Sequence, residues 1–315
     1  MVTRVFPPVA PYLVAEADSH GGRLAAARRL VLLAARAGAH AVKFSLAPAW
    51  SRSSWRSLRR DAARQGLAVI LAPRDQANLA LARALAPAAY QVDPPALGDL
   101  ALLGRLGRER RPVLLVAGRC TTLTIRRAMR AIGGAPVVVV HTVAADSVAP
   151  ADARLGYVPW LATRFRKPVG YRGVEPGVGW AFVAAAIGAS VIEKPLTLDG
   201  TVPAAGAPAG VDAAELGVIA AGLRDLAGAL GRVGDRRVLP QELAGVERTS
   251  RGLVARRALK TGRVLSAGDL VTADTSLGLA PHLSAWLMGR RLAYDVEAGE
   301  PITFGLVDRP AKARP

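Results

Sequence analysis

The residues with the clearest chemical potential sit in one stretch, KPVGYRGVEPGVGWAFVAAAIGASVIEKPLTLDG, residues 167–200. Arg172 and Glu175 lie between an apolar run and a helix-compatible segment, and Glu193 and Lys194 close a second apolar run. A guanidinium suits phosphate and carboxylate groups. A carboxylate can act as acid, base or polar anchor, and an ammonium can meet an anion. Two histidines stand in comparable places: His20 in Ser19-His20-Gly21-Gly22, and His141 directly after Val137–Val140. Each feature has a plainer alternative. The charges could form an ion pair that closes a strand end, because ionisable strand-end residues mark sites only statistically. His141 could be a hydrogen-bonded core histidine and His20 a solvated loop residue. At the level of the residues these alternatives stay open.

The elements that must position these groups follow from hydrophobic pattern. Lys167–Tyr171 and Ser190–Lys194 read as buried strands, with a helix over Trp180–Ile187 stopped by Gly188. Two apolar strands joined by a helix form a βαβ unit with parallel strands. In such folds polar residues at strand C-termini line the site. The alternation recurs along the chain. Strands are predicted at Tyr12–Glu16, Ala41–Ser45, Leu67–Leu71, Tyr90–Asp93, Val113–Val116 and Val137–His141. Helices are predicted at Arg23–Gly38, Trp50–Gln65, Asn78–Leu85, from an N-cap at Thr122 to Ala131, and at Asp152–Arg166 and Asp212–Leu230. That makes about eight repeats, the count of a closed (β/α)8 or TIM barrel, expected over residues 1–232. A polar, glycine-bearing linker is expected over 233–249. Residues 250–315 change character, with short strands, turns at Thr261-Gly262 and Ala298-Gly299, and a short helix around Leu283–Met288.

Composition agrees with an α/β enzyme-sized chain. Its 315 residues suffice for one barrel and a small second domain. The 51% of hydrophobic residues supports a large core and argues against disorder. The formal net charge is +18, from 42 basic and 24 acidic residues. The basic residues are scattered in pairs such as Arg28-Arg29, Arg59-Arg60, Arg256-Arg257 and Arg290-Arg291. They read as solvated faces rather than the clustered patch that nucleic-acid binding needs, while an anionic small substrate is compatible with the charge. Cys120 is the only cysteine, which excludes a disulfide framework and a thiolate metal cluster. Neither a basic-then-apolar leader nor a charge-free run of about 18 apolar residues is read, so a soluble, cytoplasmic protein without membrane contact is expected.

Longer motifs add to this. Gly170, then Ile187-Gly188-Ala189, then Val191-Ile192-Glu193-Lys194-Pro195-Leu196-Thr197-Leu198-Asp199 resembles the end of the barrel in the sialic acid synthase (N-acetylneuraminate synthase) family. That family shows a glycine, a Ser-Asp-His loop, a small-residue helix ending Leu-Gly-Ala, and Val-Ile-Glu-Lys-His-Phe-Thr-Leu-Asp. Its members condense phosphoenolpyruvate with an N-acyl sugar. Its opening, Ile-Ala-Glu, Asn-His-Asn-Gly, Ala-Gly-Ala and Ala-Val-Lys-Phe-Gln, is matched by Glu16, His20, Gly22, Ala37-Gly38-Ala39 and Lys43. His141-Thr142 resembles its His-Cys-Thr. Leu253-Val254-Ala255, Gly262–Leu265 and Gly299–Thr303 resemble the antifreeze-like SAF module that ends these synthases.

The resemblance implies a divergent, phosphoenolpyruvate-dependent carbon–carbon bond-forming synthase that makes a nonulosonic acid. It implies catalytic roles for Glu16, Lys43 and Glu193, substrate or anion contacts from His20, His141, Arg172 and Lys194, and a homodimer in which the SAF domain caps the partner's barrel. The chain departs from the pattern where the family holds its divalent metal. The two histidine positions fall on Val174 and Pro195, so no tightly bound metal is expected, although Glu16 and Glu193 could hold Mg²⁺ weakly through water. Gln91 stands for a phosphate-pairing lysine, Asp274 lies near the position of the SAF arginine, and Arg172 replaces a serine. These losses leave a second expectation, a catalytically degenerate homologue that binds or scaffolds.

Overall fold

The structure is a computed structural model that describes residues 11–18, 22–46, 50–145, 148–198, 210–231, 241–242 and 250–308. The chain divides into two compact units, residues 1–232 and 233–315.

The first unit is a closed barrel of eight parallel strands in sequence order. The strands are β1 (Tyr12–Glu16), β2 (Ala41–Ser45), β3 (Ala68–Ala72), β4 (Ala89–Val92), β5 (Val113–Ala117), β6 (Val137–His141), β7 (Val169–Arg172) and β8 (Val191–Pro195). Closure comes from β1 pairing β8 in the register Tyr12↔Val191 through Glu16↔Pro195. The strand segments are β-branched or apolar runs buried on both faces, as a covered parallel sheet requires. Between them lie α1 (Leu24–Arg36), α2 (Arg52–Arg64), α3 (Gln76–Leu85), α4 (Leu100–Arg108), α5 (Thr122–Ile132), α6 (Tyr157–Phe165) and α7 (Gly179–Ala186), with α8 (Ala213–Leu230) after β8. No helix among the described residues is long and apolar enough to cross a membrane.

Strand periodicity sorts the core into two layers. Val14, Ala41, Ile70, Leu114, Val116, Val138, Val140 and Val191 pack together inside the barrel. Leu13, Phe44, Leu71, Val92, Leu115, Val139 and Ile192 face the helices in a larger cluster. Because side chains alternate along a strand, the residue two places beyond an inner apolar one also points inward. That rule lifts Glu16 above Val14, Lys43 above Ala41, Gln91 above Ala89, Arg172 above Gly170 and Glu193 above Val191. Gly170 allows a tight approach of β7 to β8, since a Cβ there would lie 3.0 Å from both Val191 Cβ and Val191 O.

Several details differ from the sequence pattern. Helix α4 was not anticipated; Asp99 caps it, its carboxylate accepting from Leu102 N at 2.8 Å, and Leu102, Leu103 and Leu106 form its buried face. Gly107 in α4 meets α5 so closely that a Cβ would run into the Ile132 carbonyl. The cap of α5 is Thr121, not Thr122, because the Thr121 hydroxyl is the one that accepts from Thr124 N. The helix expected from Asp152 starts at Tyr157, preceded by a short 3-10 turn over Pro150–Asp152. The expected linker over 233–249 falls almost wholly outside the described residues.

The second unit carries β9 (Arg251–Ala255) antiparallel to β10 (Leu270–Asp274). Single bridges Val264↔Arg291 and Val254↔Pro301 fall in the 262–265 and 299–303 segments that resemble the SAF module. A four-residue helix, α9 (Ser284–Leu287), follows β10. The unit has its own core of Leu253, Leu259, Leu265, Leu287, Leu292 and Ile302. Asp269 is its one fully buried carboxylate among the described residues. It accepts from Ser266 N at 3.1 Å and Ser266 Oγ at 2.8 Å, from Arg257 Nη2 at 3.0 Å and from Arg263 Nη2 at 3.1 Å. Burial works against the anion, but Ser266, Arg257 and Arg263 prevail and hold its pKa below the usual carboxylate range. A depressed pKa gives stability that is present above the unfolded value and lost as pH falls. Asp269→Asn is expected to lower the melting midpoint of this unit by about 5 to 10 °C at neutral pH, read by hydrogen exchange of residues 251–274 in the full chain. Unchanged exchange would rule out Asp269 as the organising group.

Candidate active site at the barrel mouth

Five strands converge their inner polar side chains at the C-terminal end of the barrel. Lys43 Nζ lies 3.1 Å from Glu16 Oε1, 2.8 Å from Asp18 Oδ2 and 3.4 Å from Asp93 Oδ2, and donates to Ser45 Oγ at 3.1 Å. Arg172 grips Glu16 with two donors, Nε to Oε2 at 2.8 Å and Nη2 to Oε1 at 2.9 Å. Its Nε also stands 3.4 Å from Glu193 Oε1. Gln91 Nε2 donates to that same Glu193 oxygen at 3.0 Å and to Asp93 Oδ1 at 3.0 Å. Four carboxylates therefore share two cations and one amide.

Burial makes this cluster consequential. Lys43 and Glu193 are fully enclosed, and Glu16 nearly so. Burial alone would lower the Lys43 pKa, but the charges of Asp18, Asp93, Glu16 and Glu193 raise it well above the ordinary lysine value. Asp18 is likewise penalised by burial, yet Lys43 and the Ser45 hydrogen bonds bring its pKa down. Glu193 goes the other way. Burial first, then repulsion from Glu16, push it up to about 7 against the pull of Arg172, Lys43 and Gln91. Glu193 Oε2 and Gln91 Oε1 are buried acceptors without a protein donor. A carboxyl poised near neutrality can give or take a proton.

Residues 48–235 match the NeuB family and residues 250–308 match the SAF domain. The chain belongs to the NeuB family. Among its relatives is the N-acetylneuraminate-9-phosphate synthase of Homo sapiens, 23% identical over 338 residues, covering 96% of this chain and 94% of that protein. Another is the N,N'-diacetyllegionaminic acid synthase of Legionella pneumophila, 27% identical over 203 residues, covering 62% of this chain and 57% of that protein. The crystal structure of the N-acetylneuraminic acid synthetase from Leptospira borgpetersenii, in complex with citrate, shares the fold, with a TM-score of 0.69 at 22% identity over 76% of this chain and 91% of that one.

Within this NeuB-family barrel the anticipated site residues separate into two groups. Glu16, Lys43, Arg172 and Glu193 meet at the mouth. Lys194 and His141 do not, because each sits on the outer face of its strand. Lys194 Nζ donates to Glu175 O at 2.6 Å and Glu175 Oε1 at 3.0 Å, and Tyr171 Oη donates to Glu175 Oε2 at 2.8 Å. Burial lowers the Lys194 pKa despite Glu175. The His141 ring shares a 2.9 Å hydrogen bond with Ala153 O and stacks on Tyr157; burial lowers its pKa. His20 lies outside the described residues. Pattern reading missed Asp18, Ser45 and Asp93 as members of the cluster. Ser45 and Asp93 are each two residues beyond an inner polar position, so strand alternation alone could have found them.

The donor set does not fit the divalent metal of the resembled synthases. Val174 is a buried alkyl group, and Pro195 offers only a carbonyl that already accepts from Val211 N at 2.9 Å. Among the described residues no group of three or more His, Cys, Asp or Glu is arranged to hold a metal. The space between Glu16 and Glu193, where a weakly held Mg²⁺ was envisaged, is spanned by Arg172.

Proposed function

We propose that this chain is a sialic acid synthase-like enzyme, joining phosphoenolpyruvate to an N-acyl sugar to make a nonulosonic acid, with Glu16, Lys43 and Glu193 as its working residues. One observation carries the reading: a network of six charged side chains, with Glu16, Lys43 and Glu193 buried at its centre, stands at the C-terminal mouth of the barrel, where barrel enzymes do their chemistry. Glu193, with its pKa near 7, is the acid–base group. Lys43 and Arg172 supply positive charge, and Glu16 holds Arg172 in place. The named activities of the synthase relatives and the likeness of the fold support the assignment. The same reading takes the protein as cytoplasmic and homodimeric, with organisation 1–232 barrel, 233–249 linker and 250–315 SAF domain, and His20 among the substrate contacts.

A second reading, a non-catalytic scaffold, is favoured by one specific fact. Both cations of the mouth are already engaged by carboxylates, and Gln91 replaces a cation. The deciding experiment is phosphate release from phosphoenolpyruvate with N-acetylmannosamine and other N-acyl sugars. Turnover that falls roughly 100-fold or more in Glu193→Gln and Glu16→Gln is expected. No phosphate release with any acceptor, by protein that is folded and pure, would remove the enzyme reading and leave the scaffold.

A further inference from the structure

Both cations of the mouth are committed to carboxylates. A second cleft, of about 500 Å³, opens beyond the ends of β5 and β6, and Arg119, His141, Thr142, Asp152, Arg154 and Tyr157 are among its walls. No member of the mouth cluster lines it. Arg119 and Arg154 are exposed, and among the described residues neither meets a carboxylate at ion-pair distance. Arg119 Nε donates to Ala144 O at 2.9 Å, which steadies the guanidinium and leaves its terminal nitrogens for a ligand. Both arginines hold a left-handed backbone, with φ of 48° and 45°. Side chains other than glycine adopt that conformation at a cost, and such residues gather at ligand sites. Deeper in the cleft, Thr142 is 4% exposed, and its enclosed hydroxyl has no protein partner. A buried hydroxyl without a hydrogen bond is unfavourable. The first turns of α5 and α6 begin beside the cleft, at Thr122 and Tyr157, and helix N-termini favour negative charge.

We propose that this cleft is an accessory binding site for a sugar acid, a polyhydroxylated ring that carries a single carboxylate. Arg119 and Arg154 take the carboxylate, whose planar pair of oxygens matches the guanidinium fork. Asp152 can only accept hydrogen bonds when ionised. It therefore selects hydroxyl donors and repels a second negative charge, which favours a monocarboxylate over a phosphate dianion. Tyr157, partly exposed and braced by its stacking on His141 at 5.8 Å, supplies a flat apolar surface with a polar tip for the ring. The Thr142 hydroxyl gains the partner it lacks. The choice of acid rests on the proposed synthase function, whose product is of this class. Held in the cleft, such an acid would lie beside the reaction centre without occupying it.

The test is calorimetric titration of the full-length protein with N-acetylneuraminate, with N-acetylmannosamine as a neutral sugar, and with inorganic phosphate as an anion without a ring. Wild type is compared with Arg119→Asn, Arg154→Asn, their double variant, and Glu193→Gln at the mouth. Asparagine tolerates the left-handed backbone, so the arginine variants remove charge without adding strain. N-acetylneuraminate is expected to bind wild type roughly tenfold or more tighter than either control compound. The double variant should lose roughly tenfold or more of that affinity, and Glu193→Gln should keep it. If the double variant does not fold, the single variants decide, each expected to lose about threefold or more. Absent binding of N-acetylneuraminate at millimolar concentration would overturn the proposal. So would affinity unchanged in the arginine variants, an equal loss in Glu193→Gln, or phosphate or N-acetylmannosamine binding as tightly as the acid. Phosphate release from phosphoenolpyruvate is measured separately. Its absence beside arginine-dependent binding would sink the synthase reading alone, and turnover without such binding would sink only the accessory site.

Discussion

Lys43→Met is expected to destabilise the barrel unit by about 3–5 kcal/mol, the range for removing one partner of a buried ionic cluster. Methionine fills a similar volume, so the cost is electrostatic. It leaves Glu16, Asp18 and Asp93 without their ammonium partner, and Arg172, already shared by Glu16 and Glu193, as the remaining cation of the cluster. In a unit of this size each kcal/mol moves the midpoint by about 2–4 °C, so a fall on the order of 10 °C should be seen by calorimetry. The pH dependence has a defined sign. The folded pKa of Lys43 lies above its unfolded value, so its contribution is complete below the unfolded lysine pKa and is lost only as pH rises through the folded one. The gap between wild type and Lys43→Met should therefore hold steady from pH 7 to about pH 9. A loss under about 1 kcal/mol would show that Lys43 is not the keystone of the cluster.

Glu193 predicts the opposite behaviour near neutrality. Its folded pKa of about 7 exceeds the ordinary carboxylate value of 4.5. Such a group stabilises the fold fully below its unfolded pKa, and the contribution is lost as pH rises through the folded pKa. Wild type should therefore weaken relative to Glu193→Gln by about 3 kcal/mol between pH 4.5 and pH 8, from a rise of about 2.5 units at 1.36 kcal/mol each. The glutamine variant, unable to ionise, should be at least as stable as wild type at pH 8 and should lack the step centred near pH 7. Urea unfolding at half-unit pH intervals measures both curves. A wild type and variant that run parallel through neutral pH would mean that Glu193 is ionised throughout and is no acid–base group. If phosphate release is detected, its rate should show the same inflection.

The barrel was legible because its signals are repetitive. Eight apolar segments of strand length, separated by helical patterns, leave few alternatives, and every expected strand lies within two residues of an observed one. Helix α4 escaped because Gly104 and Gly107 break its apolar face in the sequence, whereas in space Gly107 lets α4 and α5 approach closely. The family motifs brought out Glu16, Lys43 and Glu193, but linear order hides which face of a strand a residue takes. Glu193 and Lys194 are neighbours in sequence and lie on opposite sides of the barrel wall. His141 ends its strand as a catalytic residue would, yet the register turns it outward to Ala153. Arg172 was legible as an anion contact. Its commitment to Glu16 was not, since a pairing between the first strand and the seventh leaves no local trace.

The pairing of β1 with β8 has a kinetic side. Glu16 rides on the first strand, Arg172 and Glu193 on the last two. The mouth cannot assemble until both ends of the barrel have met across nearly its whole length. Contacts of such sequence separation are slow to form, because loop closure must precede any return from them. During refolding Lys43 and Glu16 would come together early, through adjacent strands, while Glu193 remained hydrated with an ordinary carboxylate pKa. Its proton affinity would rise only when the last strand docked. At neutral pH the chain would then take up a fraction of a proton at the moment of closure, which a pH-indicator dye in stopped flow would record as a late phase after the helical signal has saturated.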